Sequence, residues 1–282
     1  MAGDRAAAER DFRAKLSLEA RLRREWRGVE KAVVRRVVAN VARNLDLPDV
    51  EGLSRELAAP VLRAHYNQVV EEFSGSVEAG LPESSRLTAE EKAAIAAALA
   101  LALAARSETQ ASAIAKTNAK DARVALTRAR AESEQRATAA RAAGAADAPG
   151  IGAMDRRELG IFAGIGLDRR LRGRTQAVVV LETQALAELT RFSEAMAIFG
   201  DTPAGVVARR VKEWITVGDD RVRPAHAAVD SDQVDADQPF RVMGEELMYP
   251  GDTSLGASAA NVVNCRCSVS YDVESVASSR QR

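Results

Sequence analysis

The sequence predicts a mostly α-helical protein with a small α+β domain near its C-terminal end. Long helices are expected in the N-terminal body, and short strands with ordered loops in the tail domain. Apolar residues recur at steps of three and four in the body, whereas alternating apolar and polar residues appear only after residue 210. The chain is 46% hydrophobic but only 4% aromatic, a composition that suits alanine-rich helices better than a compact catalytic barrel.

Two helices are predicted at the start of the chain. An apolar stripe at helical spacing between Leu16 and Leu47 predicts the first, which Pro48 ends. Its members are Leu22, Trp26, Val29, Val33, Val37, Val41 and Leu45. A shorter helix is predicted from Ser54 to Phe73 and carries His65 on its apolar face, where we expect a buried histidine rather than a metal ligand.

A third, long helix is predicted to start with a capping box. Thr88 is followed three residues later by Glu91, and no Gly or Pro occurs from there to Gly144, so the helix could extend for about 80 Å. Its apolar run Ala93–Ala105 is shorter than the roughly 20 residues that span a bilayer, so we expect no membrane contact. We expect the run to be buried or to face a partner; a free helical stalk is the alternative.

Composition and period changes predict the domain boundaries. The segment after Gly144 is rich in Ala, Gly and Pro, as hinges are, and further helices are predicted over Leu159–Ile165 and Arg174–Phe199. The predicted organisation is a helical body at 1–143, a hinge at 144–157, an α+β domain at 158–275 and a flexible tail at 276–282.

Short strands are predicted in the tail domain. Val211–Val217 is an apolar-rich run that holds Trp214, and Phe240 and Val242 alternate with a polar residue. A similar alternation begins at Cys267. Loops with Gly and Pro separate these runs and leave few apolar residues to hold the loops, so polar networks or a metal ion are expected to stabilise them.

Charge is unevenly distributed although the formal net charge is zero. Residues 1–43 hold twelve Lys and Arg against six Asp and Glu, whereas residues 213–252 hold three against ten. A basic helical face can bind DNA phosphates without sequence preference, or it can be a solvated face; both interpretations stay open. No signal-peptide pattern opens the chain, so we expect the protein in the cytoplasm of the cell that makes it.

The tail contains the candidate site residues. They are Trp214, Asp219, Asp220, Arg223, His226, Asp230, Tyr249, Pro250, Gly251, Asp252, Asn264, Cys265 and Cys267. His226, Cys265 and Cys267 are the donor types of a structural zinc site, with Asp230 or Asp252 as further candidates, although zinc sites more often separate two cysteines by two residues. No cofactor is certain from these residues.

Three other interpretations of the tail compete with zinc. Cys265 or Cys267 could be a nucleophile with His226 as its base, which requires the thiol and imidazole to lie within hydrogen-bond reach. A general acid-base cluster could form from Asp219, Asp220, Arg223 and His226. In the third interpretation the polar side chains hold loops and the cysteines are small buried residues. No Walker loop, dinucleotide-binding turn or serine nucleophile elbow supports a familiar enzyme class.

The order and spacing of these motifs resemble the phage Mu F-like family of minor head, or head morphogenesis, proteins. The resemblance covers about residues 174–272. It includes Trp214, Asp219-Asp220-Arg221-Val222-Arg223-Pro224-Ala225-His226, Asp230, Phe240, Leu247-Met248-Tyr249-Pro250-Gly251-Asp252, Asn261 and Asn264-Cys265-Arg266-Cys267. The family's usual Asp-Gly after the histidine reads Asp230-Ser231 here, which predicts a turn without the left-handed residue that glycine favours.

The resemblance implies a minor capsid protein of a tailed bacteriophage or prophage. Such a protein binds the portal vertex and assists head assembly, DNA packaging or DNA ejection, with portal, capsid or scaffold proteins as partners and non-specific contact with packaged DNA. It implies the host cytoplasm during assembly and then the virion head interior. We expect no catalytic residue and no enzyme activity; the alternatives are a DNA-binding protein acting through its basic helical body and a metal-dependent enzyme.

Overall fold

A computed structural model describes residues 2–81, 86–144, 153–200 and 208–275. Helix accounts for 69% of the residues, and short antiparallel strands are confined to the C-terminal region. The protein is therefore mostly α-helical with a small α+β part, as the sequence predicts. Within these ranges, no helix is both long enough and apolar enough to span a bilayer.

Long helices dominate the chain up to residue 200. They are α1, Ala2–Asn44; α2, Val50–Phe73; α3, Ala89–Ala142; and α4, Arg156–Gly200. The predicted capping box starts α3: Thr88 N donates to Glu91 Oε2 at 2.6 Å, and Glu91 N donates to Thr88 Oγ1 at 3.3 Å. These reciprocal bonds satisfy backbone donors that the first helical turn leaves unpaired.

Helix α4 corrects one prediction, because it is continuous where two separate helices were expected. Glycines that weaken a free helix allow close packing here. A Cβ atom added at Gly160 would lie 2.8 Å from the backbone oxygen of Val38, and one added at Gly164 would lie 2.3 Å from Cγ2 of the same valine. Packing against α1 therefore requires small residues at these two positions, which lie inside the first predicted helix. The segment between the two predicted helices continues α4, and its Leu167 and Leu171 are buried.

The strands form two small antiparallel sheets. The central strand β1, Ala208–Ile215, lies between β2, Gln233–Asp235, and β5, Ser268–Ser275. The second sheet is a hairpin of β3, Phe240–Val242, and β4, Glu245–Leu247. A strand was predicted at β1 from its apolar-rich run and at β3 and β5 from alternation. Strands β2 and β4 were not predicted, because each has only one apolar residue.

The turn before β2 corrects a second prediction. Ser231 has a φ of +68°, so the left-handed residue is present without a glycine. Its backbone N–H donates to Trp214 O at 2.8 Å, and Trp214 N donates to Asp232 O at 3.0 Å. These two bonds continue the pairing of β1 with β2 into the turn and hold a serine in a conformation that L residues rarely adopt.

The chain divides into two compact units that do not follow chain order. The motif unit comprises Met1–Arg21, His65–Leu103 and Ala177–Arg282, and the helical unit comprises Leu22–Ala64 and Ala104–Gln176. Each of the four long helices contributes to both units. That residues 1–143 and 158–275 form two sequential domains stays a prediction. The central part of the predicted hinge, 145–152, and the predicted tail, 276–282, lie outside the described residues.

Each unit has its own core. The motif unit packs its strands and loops around Trp214, Phe240 and Leu247, each no more than 1% exposed. In the helical unit, Val33, Val37 and Val41 pack among smaller residues. Those smaller residues are alanines on α3 and α4: Ala119, Ala122, Ala125, Ala129 and Ala163.

The alanine-rich start of α3 is mostly exposed. Leu99 and Leu103 are buried, but Leu101 is 78% exposed and most of the alanines around it are exposed. The expectation that Ala93–Ala105 is buried is therefore wrong for this chain by itself. A helix face that contacts a partner stays a prediction.

Candidate functional site

Trp214 on β1 is the centre of the candidate site. Its side chain is fully buried, and its ring packs edge-on against His226 and Phe240, with ring centroids 5.4 and 5.3 Å apart. Edge-to-face packing places the positive edge of one ring against the negative face of another. The large apolar side chain thus orients the histidine inside the motif unit.

Two loops bring His226 and the cysteines together. His226 lies on the short helix α5, Pro224–Ala227, which has a proline in its first turn, a position that favours helix initiation. Asn264, with a φ of +56°, turns the chain immediately before Cys265. His226 Nδ1 lies 3.6 Å from Cys265 Sγ and 3.4 Å from Cys267 Sγ, and the three donor atoms lie within 4.8 Å of one another.

The cluster formed by His226, Cys265 and Cys267 is buried, since each of its members is only 2–3% exposed. The hydrogen bond from the Cys267 thiol lowers the pKa of the Cys265 thiol well below its ordinary value. The same contact, together with burial, raises the pKa of Cys267. The two sulfurs therefore differ in character: Cys265 is the readier thiolate, and thiolate is the form that binds metals and attacks electrophiles.

The other motif residues hold loops rather than join this cluster. Both terminal nitrogens of Arg266 donate to Asp219 at 2.7 Å, and this bond lowers the pKa of the Asp219 carboxyl. Arg223 donates to the backbone oxygen of Val263. The predicted acid-base cluster is thus not assembled, because its arginine and its first aspartate bond elsewhere, and Asp220 is exposed.

The two carboxylates that were considered as further zinc ligands are also engaged elsewhere. Asp230 accepts a bond from Thr216 N at 2.7 Å, and Asp252 accepts bonds from Met248 N at 2.9 Å and Ser254 N at 2.7 Å. Among the described residues, the group that could hold a metal contains only the histidine and the two cysteines. The interpretation of either aspartate as a zinc ligand is therefore corrected.

The Tyr249-Pro250-Gly251-Asp252 motif packs against α4. Tyr249 contacts Phe192, with ring centroids 5.5 Å apart. Gly251 has a φ of +87°, and a Cβ atom there would lie 3.4 Å from the backbone of Ala185. A left-handed residue this close to a helix requires glycine, which explains the residue type in physical terms.

Two lysines in the same region are buried, and the sequence patterns did not reveal their burial. Lys212 on β1 donates to Met248 O at 2.8 Å, and its Nζ lies 5.3 and 5.1 Å from the ring centroids of Phe192 and Phe240. Burial lowers the pKa of this ammonium to about 8, against the opposing charges of Asp237 and Asp252. A lysine in a short strand gives no signal of burial, so only the structure shows it.

The second buried lysine, Lys15 of α1, joins the N-terminal segment to the motif region. Its Nζ lies 2.5 Å from Glu188 Oε1 and 2.9 Å from Ser268 Oγ. Glu188 also accepts bonds from Val269 N at 3.3 Å and from Arg191 at 3.4 Å. This network of charged groups from α1 and α4 and polar groups from β5 was missed because its members are far apart in the sequence.

A cleft of about 400 Å³ lies beside this network in the motif unit. The side chains around it include Phe12, Thr216, Asp219, Asp230, Arg266 and Ser268. Its charged groups are largely committed, since Asp219 binds Arg266 and Asp230 binds a backbone N–H. The cleft therefore has a defined shape, but most of its charged side chains are already bonded to other groups of the protein.

The cysteine nucleophile hypothesis meets its distance requirement but not the requirement of access. Both sulfurs lie within reach of the imidazole, yet they are as buried as core side chains. In this conformation a substrate could not approach either sulfur.

Comparison with protein-family models, with curated proteins and with solved structures found no match to this chain.

Proposed function

We propose that this protein is a minor head protein of a tailed bacteriophage or prophage. It binds the portal vertex inside the head and assists head assembly, DNA packaging or DNA ejection. The support comes from the ordered motifs between Trp214 and Cys267 that resemble the Mu F-like family. In the structure these motif residues mainly bond one another or nearby backbone, so they maintain the shape of a small domain.

A motif that maintains shape suits a protein that functions through docking. Arg266, between the two cysteines, binds Asp219 in a bidentate ion pair, and Asn261 donates to Glu245 at 2.7 Å and to Val242 O at 3.2 Å. None of these contacts requires a substrate. We therefore propose no catalytic role for the motif residues.

The exposed start of α3 is the surface that we assign to the portal protein. Leu101 is 78% exposed in the middle of a run that consists of Ala, Leu and Ile. Alanine lets a second helix approach closely, and an exposed apolar surface is more stable when a partner covers it. The charged residues Lys92 and Arg106 bound this face at its two ends.

The DNA-binding alternative gains less from the structure. Several basic residues of α1 have carboxylate partners: Arg13 pairs with Glu9, Lys15 with Glu188, and Arg27 with Glu30. Pairing reduces the positive potential that would attract phosphate. We therefore treat DNA contact as a secondary feature of a portal-bound protein.

The test is capture of the full-length chain by the portal protein encoded beside it. We expect stable capture of the wild type and at least about tenfold weaker capture of Leu101→Glu, since a buried charge weakens an apolar contact. Met243→Glu is the matched control, because Met243 is 79% exposed but lies in the β3–β4 turn. Absence of wild-type capture by an assembled portal, or equal loss with both variants, would contradict the assignment.

A further inference from the structure

We infer that His226, Cys265 and Cys267 bind one Zn²⁺ ion through three protein ligands, with the fourth position filled by an oxygen donor. This inference goes beyond the proposed function and does not depend on it. It differs from the closed four-ligand site that structural zinc usually occupies.

The donor atoms have the spacing that a tetrahedral zinc ion requires. Zinc binds sulfur at about 2.3 Å and imidazole nitrogen at about 2.0 Å, which places the nitrogen about 3.6 Å from each sulfur. The observed distances from His226 Nδ1 are 3.6 Å to Cys265 Sγ and 3.4 Å to Cys267 Sγ. The two nitrogen–sulfur distances therefore match those of a zinc site, and the two sulfurs lie within 4.8 Å of each other.

Hydrogen bonding leaves one buried nitrogen of this cluster without a partner. Both sulfurs converge on one ring nitrogen, but that nitrogen can take part in only one good hydrogen bond at a time. The other ring nitrogen, His226 Nε2, is buried and has no hydrogen-bond partner in the described ranges. A proton on Nε2 leaves the Nδ1 lone pair directed at the sulfurs, which is the tautomer that binds a metal through Nδ1.

The number of available donors limits the site to three protein ligands of nitrogen and sulfur. The whole chain contains two histidines and two cysteines. The remaining histidine, His65, is bonded to Thr183 at 3.0 Å through Nε2 and is not part of the cluster. The described carboxylates do not join the group either, so we assign the fourth position to water.

The donor chemistry selects zinc over harder ions. Two thiolates and an imidazole are soft and borderline ligands, which favour zinc and disfavour magnesium or calcium. The ion would link α5 to the segment that enters β5, joining residues 39 and 41 positions apart in the chain. Because an unfolded chain does not present a preformed site, zinc binding would stabilise the motif unit.

The experiment uses the full-length protein purified from zinc-containing medium. We expect about one zinc per chain by elemental analysis after gel filtration, and a lower unfolding temperature after a strong chelator removes it. Replacement of zinc by cobalt should give strong visible absorption from a tetrahedral site and a sulfur-to-cobalt charge-transfer band. These measurements on the wild type do not require any variant to fold.

Variants then identify the ligands. Cys265→Ser, Cys267→Ser and His226→Gln should each reduce zinc affinity at least about tenfold and alter the cobalt spectrum. His65→Gln is the matched control, since it removes the other histidine and should leave zinc content unchanged. The inference would be overturned if the wild type is purified without zinc and gives no visible absorption with cobalt. It would also be overturned by a Cys265–Cys267 disulfide in freshly purified protein, or by full zinc binding in the variant that carries both Cys265→Ser and Cys267→Ser.

Discussion

The helical unit and the motif unit are stabilised in different ways. In the helical unit, Gly160 and Gly164 bring α4 close to Val38, and small side chains fill the space between helices. In the motif unit, buried charges and side-chain-to-backbone bonds hold short strands and loops, as Glu188 and Asp252 show. The comparison shows that small residues stabilise through close approach, whereas loops need polar groups that are fully bonded.

The largest expected effect is the loss of stability of the motif unit when Glu188 is replaced. Glu188→Ala leaves Lys15, which is 2% exposed, without its carboxylate, and breaking a buried ion pair in this way costs about 3–5 kcal/mol. Chemical denaturation measures the change. Glu9→Ala is the control, because its pair with Arg13 is exposed and should contribute less than about 1 kcal/mol.

A double replacement makes this expectation sharper. Lys15→Met with Glu188→Leu removes both charges, so it should recover much of the stability lost in Glu188→Ala. Equal stability of the wild type and Glu188→Ala would show that the polar network does not stabilise the motif unit. The contrast between the two units would then be wrong.

The next largest effect is the acid sensitivity of His65, which is 1% exposed in the motif unit. Burial, aided by the charge of Arg21, lowers its pKa from 6.5 to about 4. Between these values the unfolded chain binds more protons than the folded chain, so the free energy of unfolding falls as pH decreases from 6.5 to 4. At 1.36 kcal/mol per pKa unit the loss is about 3 kcal/mol.

The variant His65→Gln isolates this contribution from other acid-titrating groups. The difference in unfolding free energy between wild type and variant should be constant above pH 6.5. As pH decreases from 6.5 to 4, the wild type should lose stability relative to the variant. Denaturant titrations at several pH values measure it. A difference that does not change with pH would mean that His65 is protonated equally in both states.

The smallest of the three effects concerns close helix packing in the helical unit. In Gly160→Ala the new methyl group would lie 2.8 Å from the Val38 backbone oxygen, so we expect a loss of about 1–3 kcal/mol. Gly173→Ala is the matched control on the same helix, with no atom within 4 Å of its Cβ, and it should gain about 0.5–1 kcal/mol. Thermal unfolding of both variants checks the pair.

Opposite signs for the two glycines would support close packing as the reason for Gly160. A gain in stability with both variants would show that α1 and α4 separate easily at this point. The helical unit would then depend on its valines and leucines rather than on small residues, and it would differ less from the motif unit.

Local patterns allowed much of the fold to be predicted from the sequence. The Thr88 and Glu91 capping box forms as expected, and His65 lies buried with a hydrogen-bond partner. The apolar-rich run at Trp214 and the alternating run at Phe240 are strands. Such features depend on residues within a few positions of one another, so their physical cause is visible in the sequence.

The two corrected backbone predictions show where local reasoning fails. Separate helices were predicted over Leu159–Ile165 and Arg174–Phe199, but the segment between them continues α4, where Leu167 and Leu171 are buried. The absence of glycine at Ser231 predicted a different turn, but bonds with the backbone of Trp214 and its neighbours hold the serine at a positive φ. In both cases long-range contacts outweigh a local preference of about 1 kcal/mol.

By itself the sequence determined the class of fold, the start of α3 and the residue types of the candidate site. Only the tertiary structure decided that His226 meets the two cysteines, that Asp230 and Asp252 bind backbone instead, and that Lys15 reaches β5. The physical reason is distance along the chain. Helix and strand patterns repeat within a few residues, whereas a site is assembled by packing between segments that the sequence separates.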